Sequence, residues 1–312
     1  MFCKKFSFWV LILSIHLNVF SQNEIEIKIP SVPDSLYGSL LKSKSKYLCI
    51  IHSGSGPTDR NGNNEYGGEN NSLKKLADSL FARGISTFRY DKRGVGKSKD
   101  ALYSEDSLRI QDYVKDVLLV MDFFSKKPFN YKEFVLIGHS EGALIVTLAA
   151  QKDKRIKKLV LISGAGYRAD TIIKRQMSFL AENAKKVIFP MIDTLAAGRR
   201  IENVPPILSM LFRESVQNYM ISWLPIDPAE ELSKVHQRVL ILQGDNDIQI
   251  SVKDAERLKD FNKGADLRII PKMNHILVDA PEDKKGNRET YNQPDLPLSK
   301  DIVPSIFDFL KK

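Results

Sequence analysis

The strongest constraint on the fold lies near the middle of the chain. Phe134-Val135-Leu136-Ile137 runs without a polar break into Gly138-His139-Ser140-Glu141-Gly142, and Ala143-Leu144-Ile145-Val146-Thr147-Leu148-Ala149-Ala150 follows at once. The first run suits a strand buried on both faces, and the last suits a buried helix. Glycines on either side of the central tripeptide permit a sharp reversal between the two. A strand that feeds a helix through a tight turn is half of a parallel crossover unit. Such a chain must build a sheet with helices packed on its faces.

The flanking sequence repeats that rhythm. Residues 47–51, 85–90, 159–162, 239–242 and 267–270 read as strands, while residues 73–81 and 110–124 carry apolar side chains at helical spacing. Residues 23–29 alternate and residues 35–41 are β-like, which predicts two leading antiparallel strands. The fold class that follows is α/β, a mainly parallel sheet with helices on both faces. Residues 167–233 break the pattern: they lack a buried strand and are rich in helix formers and large apolar residues such as Met177, Phe179, Met210, Phe212 and Trp223. We expect a helical cap insertion there, lying over one edge of the sheet. The alternative is that this segment extends the core, since an apolar face by itself reports only burial.

Composition narrows the class without naming a function. With 43% apolar and 27% charged residues in 312, the chain has the balance of a soluble globular protein, which argues against disorder, coiled coil and a multi-span membrane protein. Cys3 and Cys49 are too few for a disulfide scaffold or a thiolate zinc site. The 47 basic residues against 38 acidic ones leave +9, but they are interspersed, as in Gln151-Lys152-Asp153-Lys154-Arg155. That mixture reads as a solvated surface and gives no sign of nucleic-acid binding.

The first residues carry a compartment signal. Met1-Phe2-Cys3-Lys4-Lys5 precedes an apolar run over residues 6–20, and Val19-Phe20-Ser21 ends it, which is the pattern of a secretory signal peptide over residues 1–21. The run is shorter than the roughly 20 apolar residues of a membrane span, and Ser7, Ser14, His16 and Asn18 dilute it. An uncleaved anchor is the alternative. Cleavage leaves one domain, residues 22–312, with Cys49 as its sole cysteine, and removes Lys4 and Lys5 from the charge balance. The expected location is secreted or periplasmic.

Gly138-His139-Ser140-Glu141-Gly142 fits G-x-S-x-G in the strand–turn–helix context of a nucleophile elbow. A serine hydroxyl is a weak nucleophile until a base takes its proton. His52, His139, His236 and His275 are the histidines past the signal. His275 follows the last strand, in a loop at the edge where such folds carry chemistry, and is the expected base. The base needs a carboxylate to hold its tautomer. Strand 239–242 ends in Gln243-Gly244-Asp245-Asn246-Asp247. Asp247 is placed to lean toward the next loop, whereas Asp245 suits a turn-stabilising role. The order Ser140, Asp247, His275 is that of the α/β-hydrolases. An oxyanion needs two donors: the backbone N–H of Glu141, and one from the loop His52-Ser53-Gly54-Ser55-Gly56, at Gly54 or Ser55.

Two other glycine clusters mislead. Gly96-Lys97-Ser98 resembles the end of a phosphate-binding loop, but Asp91 stands where its first glycine belongs. Gly164-Ala165-Gly166 with Ala169 imitates a dinucleotide fingerprint, yet no second buried strand follows before Val239.

Together these residues resemble the α/β-hydrolase superfamily over nearly all of the chain past the signal. Residues 52–62 and 89–98 look like a bacterial group of serine esterases related to acyl hydrolases and to prolyl-oligopeptidase-like catalytic domains. The resemblance implies the Gly-x-x-Asp acid at Asp247 and the Asn-His base at His275. Here His-Ser-Gly replaces the His-Gly-x of many relatives, which bears on the second oxyanion donor. The expected activity is hydrolysis of small carboxylic esters, with an apolar group favoured by the insertion, and with no metal or cofactor required. The alternatives are a serine peptidase or amidase acting on short peptides, and a catalytically silent binding protein.

Overall fold

The structure, a computed structural model, describes residues 24–312; the segment read as a signal, residues 1–21, lies outside them. Eight strands form one sheet in the order β1-β2-β4-β3-β5-β6-β7-β8. They are β1 (Glu24–Ile29), β2 (Leu36–Leu41), β3 (Tyr47–His52), β4 (Ser86–Tyr90), β5 (Glu133–His139), β6 (Ile156–Ile162), β7 (Arg238–Gly244) and β8 (Asp266–Ile270). β1 and β2 pair antiparallel, β2 lies antiparallel to β4, and all neighbours from β4 to β8 are parallel. Of the helices, α1 (Ser72–Phe81), α2 (Ile110–Ser125) and α3 (Glu141–Ala150) belong to the first crossovers. α4 (Ala169–Gln176), α5 (Glu182–Ala196), α6 (Ser209–Phe212), α7 (Glu214–Trp223) and α8 (Pro228–Ser233) lie between β6 and β7. α9 (Val252–Phe261), α10 (Lys284–Glu289) and α11 (Ile302–Lys311) complete the chain.

The central strands read as unbroken apolar runs because both faces are covered. Cys49, Ile51, Val135, Ile137, Val160, Ile162, Leu240 and Leu242 share a cluster with Leu73, Leu76 and Leu80 of α1 and Ile302, Ile306 and Phe309 of α11. The alternate residues, Leu48, Ile50, Phe134, Leu136, Leu159, Leu161, Val239 and Ile241, share another with α2 and α3. That division is the two-residue period of a strand. In α3 every residue except Leu148 is buried, so its sequence is apolar all round instead of striped.

The five helices between β6 and β7 divide in two. Ala169, Ile188, Ile192, Leu195, Phe212, Met220 and Leu224, from α4 through the end of α7, form their own cluster. Ala229 and Leu232 of α8 pack instead into the sheet-facing core. The segment from α4 to α7 therefore stands on the sheet with a small core of its own, and α8 is part of the main body.

Strand order places the site. The chain leaves β3 to one side, to β4, then returns to pair β5 on the other side of β3. In an open parallel sheet the carboxyl ends at such a reversal form a crevice for ligands. His52, at the end of β3, is level with Gly138 near the end of β5.

Candidate active site

Ser140 follows β5 with φ 55° and ψ −122°, in the half of backbone space that non-glycine residues rarely occupy. Its N–H donates to the Ile162 carbonyl at 2.9 Å, and α3 starts at the next residue. Both motif glycines are required by close backbone approach. A Cβ on Gly138 would sit 2.3 Å from the Gly142 carbonyl oxygen, and one on Gly142 would sit 2.6 Å from that of His52. The Ser140 side chain is thereby held at the crevice, partly exposed, on a rigid turn.

His275 and Asp247 come together from two loops. The imidazole Nδ1 lies 2.8 Å from Asp247 Oδ2, with both side chains buried. A carboxylate only accepts, so Nδ1 carries the proton and Nε2 is left as the basic nitrogen. Asp247 Oδ1 accepts the N–H groups of Gln249 (2.8 Å) and Ile250 (3.0 Å), while Gln243 Nε2 donates to Oδ2 at 3.2 Å. Burial pushes the Asp247 carboxyl up, but the His275 charge and these hydrogen bonds outweigh it and hold the group below its ordinary value.

The loops approach this closely because Gly244 has no side chain: a Cβ there would lie 1.9 Å from the Met273 carbonyl oxygen. Asp245 ties the neighbouring turn, accepting the Lys272 N–H at 2.7 Å. The expected stabilising role of Asp245 thus extends to the loop that carries His275. Asn274 anchors the same loop through Asn287 and Thr290.

The third element is the loop after β3. Gly54 abuts the elbow, and a Cβ there would be 3.1 Å from Ser140 Cβ. His52 Nδ1 donates to the Ser53 carbonyl at 2.9 Å, which fixes the peptide carrying the Gly54 N–H. Buried Lys92 reaches the carbonyls of Gly54 and Gly56 (2.9 Å to the latter), which fixes the next peptide, that of the Ser55 N–H. Burial depresses Lys92 to about 8, against the pull of Glu141, and depresses His52 to about 3, with the Lys92 charge adding to the effect.

Sequence reasoning missed Lys92, Gln243 and the part played by His139. His139 is packed on His275: its Nε2 donates to the His275 carbonyl at 2.8 Å. His236 stands before β7, away from this group. Both decoys have structural explanations. The Lys97 N–H donates to Asp91, and Ser98 Oγ accepts the Tyr37 N–H. Gly166 packs on α9, where a Cβ would lie 2.1 Å from the Asp254 carbonyl oxygen. Among the described residues, no cluster of three or more His, Cys, Asp or Glu side chains is arranged to hold a metal ion.

A cavity of about 930 Å³ opens over Ser140 and Glu141, between the sheet edge and the α4–α7 segment. Leu108, Leu144, Ile172, Met210, Val216, Met220 and Trp223 make much of its wall apolar. Glu105, from the segment before α2 and on the cavity wall, accepts from Arg213 Nε at 2.8 Å, another wall residue just before α7, and from Ser215 of α7. These contacts fasten the helical segment to the main body.

Residues 63–219, about half of the chain, match the family model Hydrolase_4, serine aminopeptidase, S33. The chain belongs to that family. The hydrolase has the α/β-hydrolase fold, shared with solved structures at low identity. An esterase of Pyrococcus furiosus, Pf2001, is 17% identical, with 92% of this chain and 90% of that one covered, at a TM-score of 0.60. Est1E of Butyrivibrio proteoclasticus, solved with ferulic acid bound, is 21% identical over 92% and 100% of the two chains, also at 0.60. The esterase EaEST of Exiguobacterium antarcticum is 15% identical over 92% and 100%, at 0.58. No curated protein matches the sequence. The family match covers the elbow of the hydrolase, while Asp247 and His275 lie beyond its C-terminal limit. Among the described residues, no helix is long and apolar enough to cross a membrane.

Proposed function

We propose that this hydrolase cleaves carboxylic esters through an acyl-enzyme formed on Ser140. The observation that carries the reading is the buried His275–Asp247 pair, 2.8 Å apart, docked through His139 on the residue next to a serine held at positive φ. His275 Nε2 takes the Ser140 proton as Oγ attacks the ester carbonyl carbon. The resulting oxyanion rests on the N–H groups of Glu141 and Gly54, and Ser55 is the neighbouring alternative to Gly54. Asp247, held ionised, steadies the imidazolium. His275 then passes its proton to the leaving alkoxide oxygen as the C–O bond breaks. Water, deprotonated by His275, attacks the acyl carbon. Ser140 leaves with the proton that His275 returns, and the free acid departs. The apolar wall of the cavity supports an apolar group on the substrate.

A fluorophosphonate probe should label the protein at Ser140, and Ser140→Ala should abolish labelling. Undiminished labelling of that variant would refute the assignment. A second reading, cleavage of aminoacyl amides, is supported by the description of the matched family. Turnover of a small aryl ester and of the matching aminoacyl anilide on one preparation decides between them. We also read residues 1–21 as an export signal removed after Ser21, on the pattern of Lys4, Lys5 and the apolar run. N-terminal sequencing of protein recovered from the periplasm or medium of the expressing cells should begin at Gln22.

A further inference from the structure

The cavity holds a polar corner that this chemistry leaves unused. The Glu141 side chain is buried, with the residue 6% exposed, yet neither carboxyl oxygen has a protein hydrogen-bond partner. The Tyr219 hydroxyl is in the same position, on a residue 8% exposed. Both residues line the cavity that contains Ser140, Glu141 from the elbow itself and Tyr219 from α7. The tyrosine hydroxyl lies close enough to the carboxyl to lower it, but out of line for a well-formed hydrogen bond, so neither group is satisfied by the other. Among the described residues, the other buried carboxylates behave differently. Asp91 is bonded to Arg60, Asp116 to Arg93, Asp254 to Arg175 and Ser251, and Asp247 to His275. A buried carboxyl group without a partner is costly, so a polar corner of this kind persists where a ligand completes it.

The surrounding charge indicates which ligand. Lys92 is the cation nearest to Glu141 in effect, and its ammonium is committed to the carbonyls of Gly54 and Gly56. It balances the carboxylate charge without hydrogen-bonding to it. A cationic ligand would meet a corner that is already neutralised, whereas a neutral hydroxyl can both donate to the carboxylate and accept from the tyrosine. Burial pushes the Glu141 carboxyl up, opposed by Lys92 and Tyr219, and in either protonation state the group can bond a hydroxyl.

We propose that Glu141 and Tyr219 form a hydroxyl-binding subsite that selects esters bearing a hydroxyl group inside the cavity. The proposal rests on the assignment of Ser140 as nucleophile and deepens it. The hydroxyl belongs to the acyl or to the alcohol portion of the substrate, and the chemistry recognised is the same.

The test compares kcat/KM for two matched pairs. One pair is p-nitrophenyl 3-(4-hydroxyphenyl)propanoate against the 3-phenylpropanoate. The other is a 2-hydroxyethyl ester against the ethyl ester of one acid. The wild type should favour the hydroxylated member of one pair by about ten- to a hundredfold, the range for hydrogen bonds to a charged group, and the pair that responds identifies the portion. Tyr219→Phe should bring that ratio toward one while fluorophosphonate still labels Ser140, and Glu141→Gln should also bring it toward one, whatever its effect on the basal rate. A wild-type ratio near one in both pairs, with the plain esters hydrolysed, overturns the subsite and leaves the esterase reading standing. Survival of the preference in both variants overturns it too, as does a stronger preference for an amino group at the same position. Failure to hydrolyse any ester overturns both readings.

Discussion

The side chain of His139 donates from Nε2 to the backbone carbonyl of His275 at 2.8 Å, and the two imidazole rings lie 4.9 Å apart between centroids. The residue before the candidate nucleophile therefore carries the loop of the candidate base. Ser140 and His275 are far apart in sequence and lie on different crossovers. This bond links the two loops without using either reactive nitrogen of His275.

Replacing His139 by Phe keeps a ring at this place but removes the donor, leaving the His275 carbonyl without its partner. We expect a loss of stability of about 1–3 kcal/mol, read by urea unfolding. We also expect kcat for a small ester to fall at least tenfold, on the order of what small misplacements of a catalytic group cost. A variant with unchanged kcat would show that His139 has no part in positioning the base.

Acid should destabilise the fold over a defined window. Burial depresses His139 to about 3, with the His275 charge adding to it, and His52 also to about 3, both from an ordinary 6.5. Between those limits the unfolded chain binds protons that the native state refuses. The contribution to stability is therefore complete above pH 6.5 and is lost as pH falls toward 3, by about tenfold in the folding constant per unit for each group. Urea midpoints measured from pH 7 down to pH 4 should fall steadily. The slope should be shallower in His139→Gln, which lacks one of the two groups.

The two acids after β7 should separate cleanly. Asp247→Asn keeps an oxygen on the Gln249 and Ile250 N–H groups and so turns an amide donor toward His275 Nδ1, and kcat should fall on the order of 10³–10⁴-fold, the cost of the wrong imidazole tautomer. Asp245→Ala removes the bond to the Lys272 N–H and should cost about 1 kcal/mol in stability with kcat changed by no more than a few-fold. A large kcat effect at Asp245 and a small one at Asp247 would reverse the assignment.

Gly244→Ala is predicted to be among the most damaging single-methyl additions, since its Cβ would lie 1.9 Å from the Met273 carbonyl oxygen. The loop must shift or the strand must bend, at a cost of about 1–3 kcal/mol. Because the displaced loop carries His275, kcat should fall with stability. Full activity at unchanged thermal midpoint would contradict this.

Lys92→Met should reduce kcat about tenfold or more, because the Gly54–Ser55 peptide, which carries the Ser55 N–H, and the Gly56 carbonyl lose the ammonium that holds them. The rate of fluorophosphonate labelling provides a readout of the same loop without a substrate.

Much of this architecture is legible in local sequence. Phe134-Val135-Leu136-Ile137, the G-x-S-x-G turn and the Ala-rich run after it predict β5, the turn and α3, because strand burial, glycine freedom and helical apolarity are local properties. The strands at 47–51 and 239–242 are legible for the same reason. Two helices escaped notice although their signals are present. α9 opens with a reciprocal cap between Ser251 and Asp254, and α11 spaces Ile302, Ile306, Phe309 and Leu310 on one face. The division of residues 167–233 was not legible: large apolar side chains mark burial but do not say whether α8 joins the cap cluster or the main core.

Sequence alone determined the alternation of strands and helices through the serine turn, the strained turn itself and the short set of acids and imidazoles able to serve it, since each depends on a few adjacent residues. Only the tertiary structure decided the rest: which carboxylate meets His275, that His139 carries its loop, that Lys92 orients the Gly54 peptide, and that Glu141 and Tyr219 share a cavity wall. Those contacts join residues separated by tens to more than a hundred positions, and their distances are set by how the sheet stacks its strands, which no spacing along the chain encodes.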